Sequence, residues 1–62
     1  MLKNTTRCLA EYEESRALQS ARFAETAEKY LANPELAKSY REEAQSHIEL
    51  AETLHSLADS SS

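Results

Sequence analysis

The chain lacks glycine, tryptophan and valine, and its 62 residues include one proline and one cysteine. Sheet proteins draw on β-branched residues and on turn glycines, so Ile48 and four threonines as the whole β-branched set exclude a β fold. The single Cys8 leaves no partner for an intrachain disulfide, which favours a reducing compartment, and we expect a cytoplasmic protein. No apolar run approaches the ~20 residues of a membrane span, so no membrane association is expected.

What is present is alanine, leucine and charge. The chain has ten alanines and eight leucines, and seven basic against eleven acidic residues give a net charge of -4. Regularly spaced leucines argue against a disordered acidic tail, and the acidic balance argues against binding nucleic acid. The composition therefore predicts an all-α protein. A chain of about 60 residues buries only ~60% of its unfolded surface, so we expect it to need a partner subunit.

The one proline divides the chain into two helices. Asn33 is a good N-cap, Pro34 suits the first helical position, and proline disfavours helical backbone in the residue before it. We therefore predict one helix over about 5–32 and a second over 34–59, within a single domain that spans 1–59 and ends in a disordered tail at 60–62. The short connection predicts that the two helices form an antiparallel hairpin. The alternative is one continuous helix, kinked at the proline, in a domain-swapped assembly.

Alanine recurs at every seventh position in both predicted helices, and larger apolar residues accompany it at heptad spacing. A hairpin of this kind does not cover its own apolar stripe, so we predict that two hairpins form a homodimeric four-helix bundle. The residues predicted for the core and the dimer interface are Leu9, Ala10, Ala17, Phe23, Ala24, Ala27, Tyr30, Leu31, Leu36, Ala37, Tyr40, Ala44, His47, Leu50, Ala51, Leu54, Leu57 and Ala58.

In architecture, a dimer of helical hairpins with small residues in its seam resembles the Rop-type plasmid copy-number regulators. The start of the chain, residues 1–7, and its Ala-, Glu- and Leu-rich helices are similar to the short accessory proteins of the lambdoid phage early region, between the recombination and excision genes. That resemblance implies a modulator of phage development or host physiology, active in the host cytoplasm.

No catalytic constellation or cofactor motif is apparent in the sequence, so the predicted function is that of a non-enzymatic regulator or adaptor without a cofactor. Such a protein acts through contacts with other proteins, and its partner is not encoded in any motif. Leu18 points outward among charged residues of the first helix, and we predict that it contacts a protein partner.

The second hypothesis is a ferritin-like di-iron hairpin. Glu52 and His55 have the Glu-x-x-His spacing that places both side chains on one helix face, and Glu13 would come from the facing helix. Residues 47–54 also resemble the later iron-ligand helix of the bacterioferritins. That family has a glutamate three residues before the histidine, and this chain has Ala44 there.

A third hypothesis is an RNA-binding hairpin. It would use Arg7, Arg16 and Arg22 of the first helix to neutralise phosphates. Glutamates interleave with these arginines along the sequence, which is more typical of a solvated helix surface than of a phosphate-binding track.

Overall fold

The computed structural model describes residues 2–60, with side chains from residue 3 onward. Over this range the chain is entirely helical apart from one turn: α1 is Leu2–Lys29 and α2 is Pro34–Ser60. The two helices pack along their lengths as an antiparallel hairpin measuring 47 × 13 × 9 Å between Cα atoms. The predicted tail at 60–62 begins one residue too early, because Ser60 belongs to α2, and its last two residues lie outside the described range.

The first helix ends three residues before the predicted boundary, at Lys29. Ala32 adopts a left-handed backbone conformation with a φ of 48°, which no helix can accommodate in its interior. This conformation turns the chain back so that the N–H of Asn33 donates to the carbonyl of Ala27 at 3.0 Å. Leu31, predicted as a core or interface residue of the first helix, therefore lies in the turn and is exposed.

The second helix begins as the sequence signals indicate. The side-chain oxygen Oδ1 of Asn33 accepts a hydrogen bond from the N–H of Leu36 at 3.1 Å, which is the geometry of an N-cap. The carbonyl of Asn33 accepts the first helical bond, from the N–H of Ala37 at 3.1 Å. Pro34 occupies the first helical position, where its missing N–H leaves no bond unmade.

The core of the hairpin is a seam made of small residues. Among the described residues, every buried apolar side chain is an alanine, and one serine, Ser20, is buried with them. Because the Cα atoms of a helix lie about 2.3 Å from its axis, a breadth of 13 Å leaves about 8 Å between the two axes, the short end of the range for packed helices. The buried alanines are Ala10, Ala17, Ala24, Ala27, Ala37, Ala44, Ala51 and Ala58.

The hairpin is too extended to be a compact unit alone. Its Cα radius of gyration is 14.1 Å, against about 10.6 Å for a compact domain of this length. Its accessible surface is 4733 Å², against about 4,000 Å² for a folded monomer of 7.0 kDa. The hairpin therefore exposes roughly 700 Å² more than a compact protein of its mass, close to one partner's share of a standard protein interface.

Candidate functional site

The heptad alanines divide the surface of the hairpin into two unlike sides. Successive helical residues are turned by about 100°, so the residue just before a heptad alanine and the residue four places after it flank the seam on opposite sides. Because the helices are antiparallel, the preceding residues of α1 and α2 share one side, which we call the apolar face. The residues four places after the heptad alanines share the other side, which we call the polar face.

The polar face is crossed by charged pairs between the helices. His55 Nε2 donates to Glu14 Oε1 at 2.5 Å, and Glu28 pairs with the guanidinium of Arg41. At the end of the hairpin away from the turn, Arg7 Nη2 lies 3.8 Å from Asp59 Oδ1. All these side chains are substantially exposed, so each pair contributes only ~0–1 kcal/mol. Their value lies in setting the register of one helix against the other.

The apolar face carries the large hydrophobic side chains that the alanine seam excludes. The ring of Phe23 packs against that of Tyr40, with centroids 5.4 Å apart and planes tilted by 53°. Tyr40 and Leu54 lie between the two rows and are partly buried. The rows themselves are formed by the residues that immediately precede a heptad alanine: Leu9, Arg16 and Phe23 on α1, and Leu36, Glu43, Leu50 and Leu57 on α2.

The leucine and phenylalanine side chains of the apolar face are unusually exposed. Leu9 is 50% exposed, Phe23 46%, Leu50 46% and Leu57 55%. Full burial of such a side chain is worth ~1.5–3 kcal/mol, so a partner that covered the face would gain a large favourable term. The exposed large apolar residues within the helices are Leu9, Tyr12, Leu18, Phe23, Ile48, Leu50 and Leu57, and four of these seven lie on the apolar face.

A carboxylate–imidazole pair lies at the inner edge of the apolar face. His47 Nδ1 donates to Glu13 Oε1 at 2.5 Å, and the two side chains are only 22% and 15% exposed. The pair occupies seam positions where a bundle would ordinarily place apolar residues. A partly buried carboxylate is stabilised by such a partner, because its partial desolvation is unfavourable without one.

The ligand set of the di-iron hypothesis is not brought together. Glu13 is held by His47, whereas His55 is held by Glu14 on the polar face, and Glu52 is exposed. Over residues 2–60, no three His, Cys, Asp or Glu side chains lie close enough to hold one metal ion. The spacing within α2 placed Glu52 and His55 near each other, but the rotation of α1 presents a different carboxylate to His55.

The three arginines of the RNA hypothesis also point to different surfaces. Arg7 lies on the polar face beside Asp59, and Arg16 belongs to the apolar face. Arg22 lies on the outer surface of α1, two residues before the seam residue Ala24. The hairpin therefore offers no continuous track formed by these residues.

Leu18 lies away from both faces, on the outer surface of α1. It is 54% exposed and borders a shallow open depression with Gln19, Arg22 and Phe23. The free thiol of Cys8 is exposed on the same helix. A protein that covered the apolar face would leave the side chain of Leu18 accessible.

The single stripe predicted from the heptads separates into three groups. Its eight alanines form the buried seam. Leu36, Tyr40, His47 and Leu54 are partly buried at the edge of the seam. Leu9, Phe23, Tyr30, Leu31, Leu50 and Leu57 are exposed, and of these Tyr30 and Leu31 lie in the turn rather than in the first helix. Arg16 and Glu43, which the prediction did not include, occupy the same heptad position as the leucines of the apolar face.

Comparison with protein-family models, with characterised proteins and with solved structures finds no match for this chain. Within the described range, neither helix carries an apolar stretch sufficient to cross a bilayer. The function must therefore be inferred from the geometry of the hairpin itself.

Proposed function

We propose that this chain is a small non-enzymatic regulator or adaptor that acts through protein contacts as a homodimer of helical hairpins, a four-helix bundle. The observation that carries the proposal is the distribution of apolar residues: every buried apolar side chain of the described hairpin is an alanine, and four of the seven large apolar residues exposed on the helices lie on one face. A second copy of the chain supplies an equivalent apolar face to cover the first.

The size of the uncovered surface supports this proposal. Stable protein interfaces bury about 800 Å² on each partner, and the hairpin exposes roughly 700 Å² more than a compact monomer of its mass. An apolar face of this kind on a monomeric protein would also be an aggregation hazard, whereas a closed twofold dimer removes it.

A regulator needs a second surface that remains available after dimerisation. Leu18 is an exposed apolar residue on the outer side of α1, and charged residues such as Arg22 lie beside it. The resemblance to accessory proteins of the lambdoid phage early region agrees with a modulator of phage development or host physiology, working in the host cytoplasm.

Sedimentation equilibrium on the wild type and two matched leucine variants tests the dimer. Leu50→Glu places a carboxylate in the middle of the apolar face, and we expect a monomeric or largely unfolded chain. Leu18→Glu makes the same chemical change on the outer surface of α1, at a residue of similar exposure, and we expect the dimer to persist. A wild type that stays monomeric at every concentration would contradict the proposal.

The adaptor role has its own test. Wild type and Leu18→Glu, both dimeric, are immobilised and compared for capture of the same protein from bacterial cytoplasm. We expect a protein retained by the wild type to be lost with Leu18→Glu, because the variant alters the proposed contact while leaving the bundle intact. Equal capture by the two dimers would remove Leu18 from the proposed site.

A further inference from the structure

We infer that the second copy lies on the apolar face turned end for end, with the two turns at opposite ends of the bundle. In this arrangement Arg16 of each copy shares a layer with Glu43 of the other. The inference rests on the proposed homodimer and adds its face, its orientation and the charged residues that select it.

The register of the hairpin assigns these charges to neighbouring layers. The pairs Glu14–His55 and Glu28–Arg41 show that moving fourteen residues forward along α1 corresponds to fourteen residues back along α2. The contact of Phe23 with Tyr40 places Phe23 within one helical turn of Glu43, so we assign these two residues to one layer of the apolar face. One heptad farther from the turn of the hairpin, or about 10.5 Å along the axis, Arg16 and Leu50 form the next layer.

Arg16 and Glu43 are the two charged members of the rows that form the apolar face. Within the described residues neither takes part in an ion pair, whereas the charges of the polar face pair between helices. Besides the Glu13–His47 pair at its inner edge, the apolar face of each hairpin therefore offers one unpaired cation and one unpaired anion. A partner that covered this face without pairing Arg16 and Glu43 would remove both charges from water, and this desolvation is unfavourable.

Two closed twofold arrangements bring a pair of these faces together. With both turns at the same end, equivalent layers coincide, so two Arg16 side chains meet in one layer and two Glu43 side chains meet in the next. Like charges placed together in an interface repel each other and weaken the association. That arrangement is therefore disfavoured by the charges alone.

Turning one copy end for end exchanges the two layers. The layer that holds Arg16 and Leu50 of one copy then receives Phe23 and Glu43 of the other, and symmetry repeats the combination in the second layer. Each arginine gains a carboxylate in its own layer and an aromatic ring from the facing helix. At the outer layers, Leu9 and Leu57 meet Leu36 of the other copy, so apolar residues contact apolar residues.

The first experiment measures the dimer dissociation constant after charge reversal. Arg16→Glu leaves two anions in each central layer and Glu43→Arg leaves two cations, so we expect each change to raise the dissociation constant at least roughly tenfold. Arg22→Glu and Glu42→Arg are the matched controls, because they make the same changes on the outward surfaces of α1 and α2. We expect both controls to dimerise like the wild type.

Mixing the two weakened variants tests the pairing directly. A heterodimer of Arg16→Glu with Glu43→Arg again contains one cation and one anion in each central layer. We expect the mixture to dimerise within a fewfold of the wild type. Circular dichroism on each variant verifies that the helices are intact, so that loss of association is not confused with unfolding.

The orientation is measured with the native thiol. Cys8 is exposed and is the only cysteine, so a spin label attached there marks one site per chain. In the end-for-end arrangement the twofold axis passes midway between Arg16 and Phe23 of α1. The Cys8 residues of the two copies are then separated along the bundle axis by the length of 23 helical residues, or about 35 Å. With the turns at the same end, the axial separation is zero and only the width of the bundle separates the labels.

The outcomes are distinguishable. A long Cys8 separation, with weakened single reversals and a restored mixture, supports the inference. A short separation in a wild-type dimer overturns the orientation. A dimer indifferent to both Arg16→Glu and Glu43→Arg overturns the assigned face, yet leaves the proposed homodimer standing. A wild-type monomer defeats the proposed function and this inference together.

Discussion

Replacing Ala51 with leucine tests the close approach of the two helices. Ala51 is 3% exposed and lies in the middle of the seam, where about 8 Å separates the helix axes. Leucine adds three carbons at this buried position between the two helices, and overpacking of this kind costs ~1–3 kcal/mol. Alanine and leucine differ little in helix propensity, so the helix itself should be unaffected.

That cost is large for so small a protein. At ~0.05–0.15 kcal/mol per residue the whole chain is stable by only ~3–9 kcal/mol. A domain of this size loses ~4–8 °C in melting temperature for each kcal/mol, so we expect Ala51→Leu to melt roughly 4–24 °C below the wild type. Because dimerisation raises the apparent stability, the melting temperatures are compared at one fixed protein concentration.

The matched control is Ala21→Leu, at an exposed position of α1 on the polar face. We expect it to change stability by less than ~0.5 kcal/mol, as surface substitutions usually do. Thermal unfolding followed by far-ultraviolet circular dichroism compares the two variants. If Ala51→Leu were as stable as Ala21→Leu, the alanine repeat would reflect helix propensity rather than close packing.

Three further predictions follow from particular contacts. His47→Leu should lower the unfolding free energy, by less than the ~3–5 kcal/mol typical of a fully buried pair, because it leaves the partly buried carboxylate of Glu13 without its partner; the double leucine variant at both positions should recover the loss in chemical denaturation. Ala32→Gly should raise the melting temperature, since glycine adopts the left-handed conformation at φ 48° without the ~1–2 kcal/mol cost to alanine; an unchanged value would argue against strain in the turn. The hydrogen bond from Lys29, together with the charge of Lys29, lowers the pKa of Glu25 below the usual value for a glutamate. The pair should therefore stabilise the fold at pH values above the usual glutamate pKa, and this contribution should be lost as the pH falls through the lowered pKa of Glu25. Carboxylate titration by NMR checks this, and Lys29→Met should return the pKa of Glu25 to its usual range.

Heptad periodicity located the seam but did not say which of its neighbours would be buried. Ala44 and Leu50 were assigned to the same stripe, yet Ala44 is buried and Leu50 is 46% exposed. The reason is the distance between the helices. At an interaxial distance of about 8 Å only small side chains such as alanine and serine fit between the backbones, so leucine is displaced to the side.

At the candidate site, too, the sequence predicted the spacing within one helix but not the contacts between the two helices. The spacing of Glu52 and His55 within α2 was visible in the sequence, because residues three apart share a helix face. The partner of His55 was not visible, because it depends on the rotation and axial position of α1. Packing of the alanine seam set that rotation, and it presents Glu14 to His55 and Glu13 to His47.

The sequence by itself determined the helical class, the break at Asn33 and Pro34, and the positions of the small residues, because these depend on local propensity and on the period of one helix. Only the tertiary structure decided that the row containing Arg16 and Phe23 on α1 would lie beside the row containing Glu43 and Leu50 on α2. That juxtaposition depends on how two helices, each periodic on its own, are turned toward one another, and residues distant in the chain must pack together before it exists.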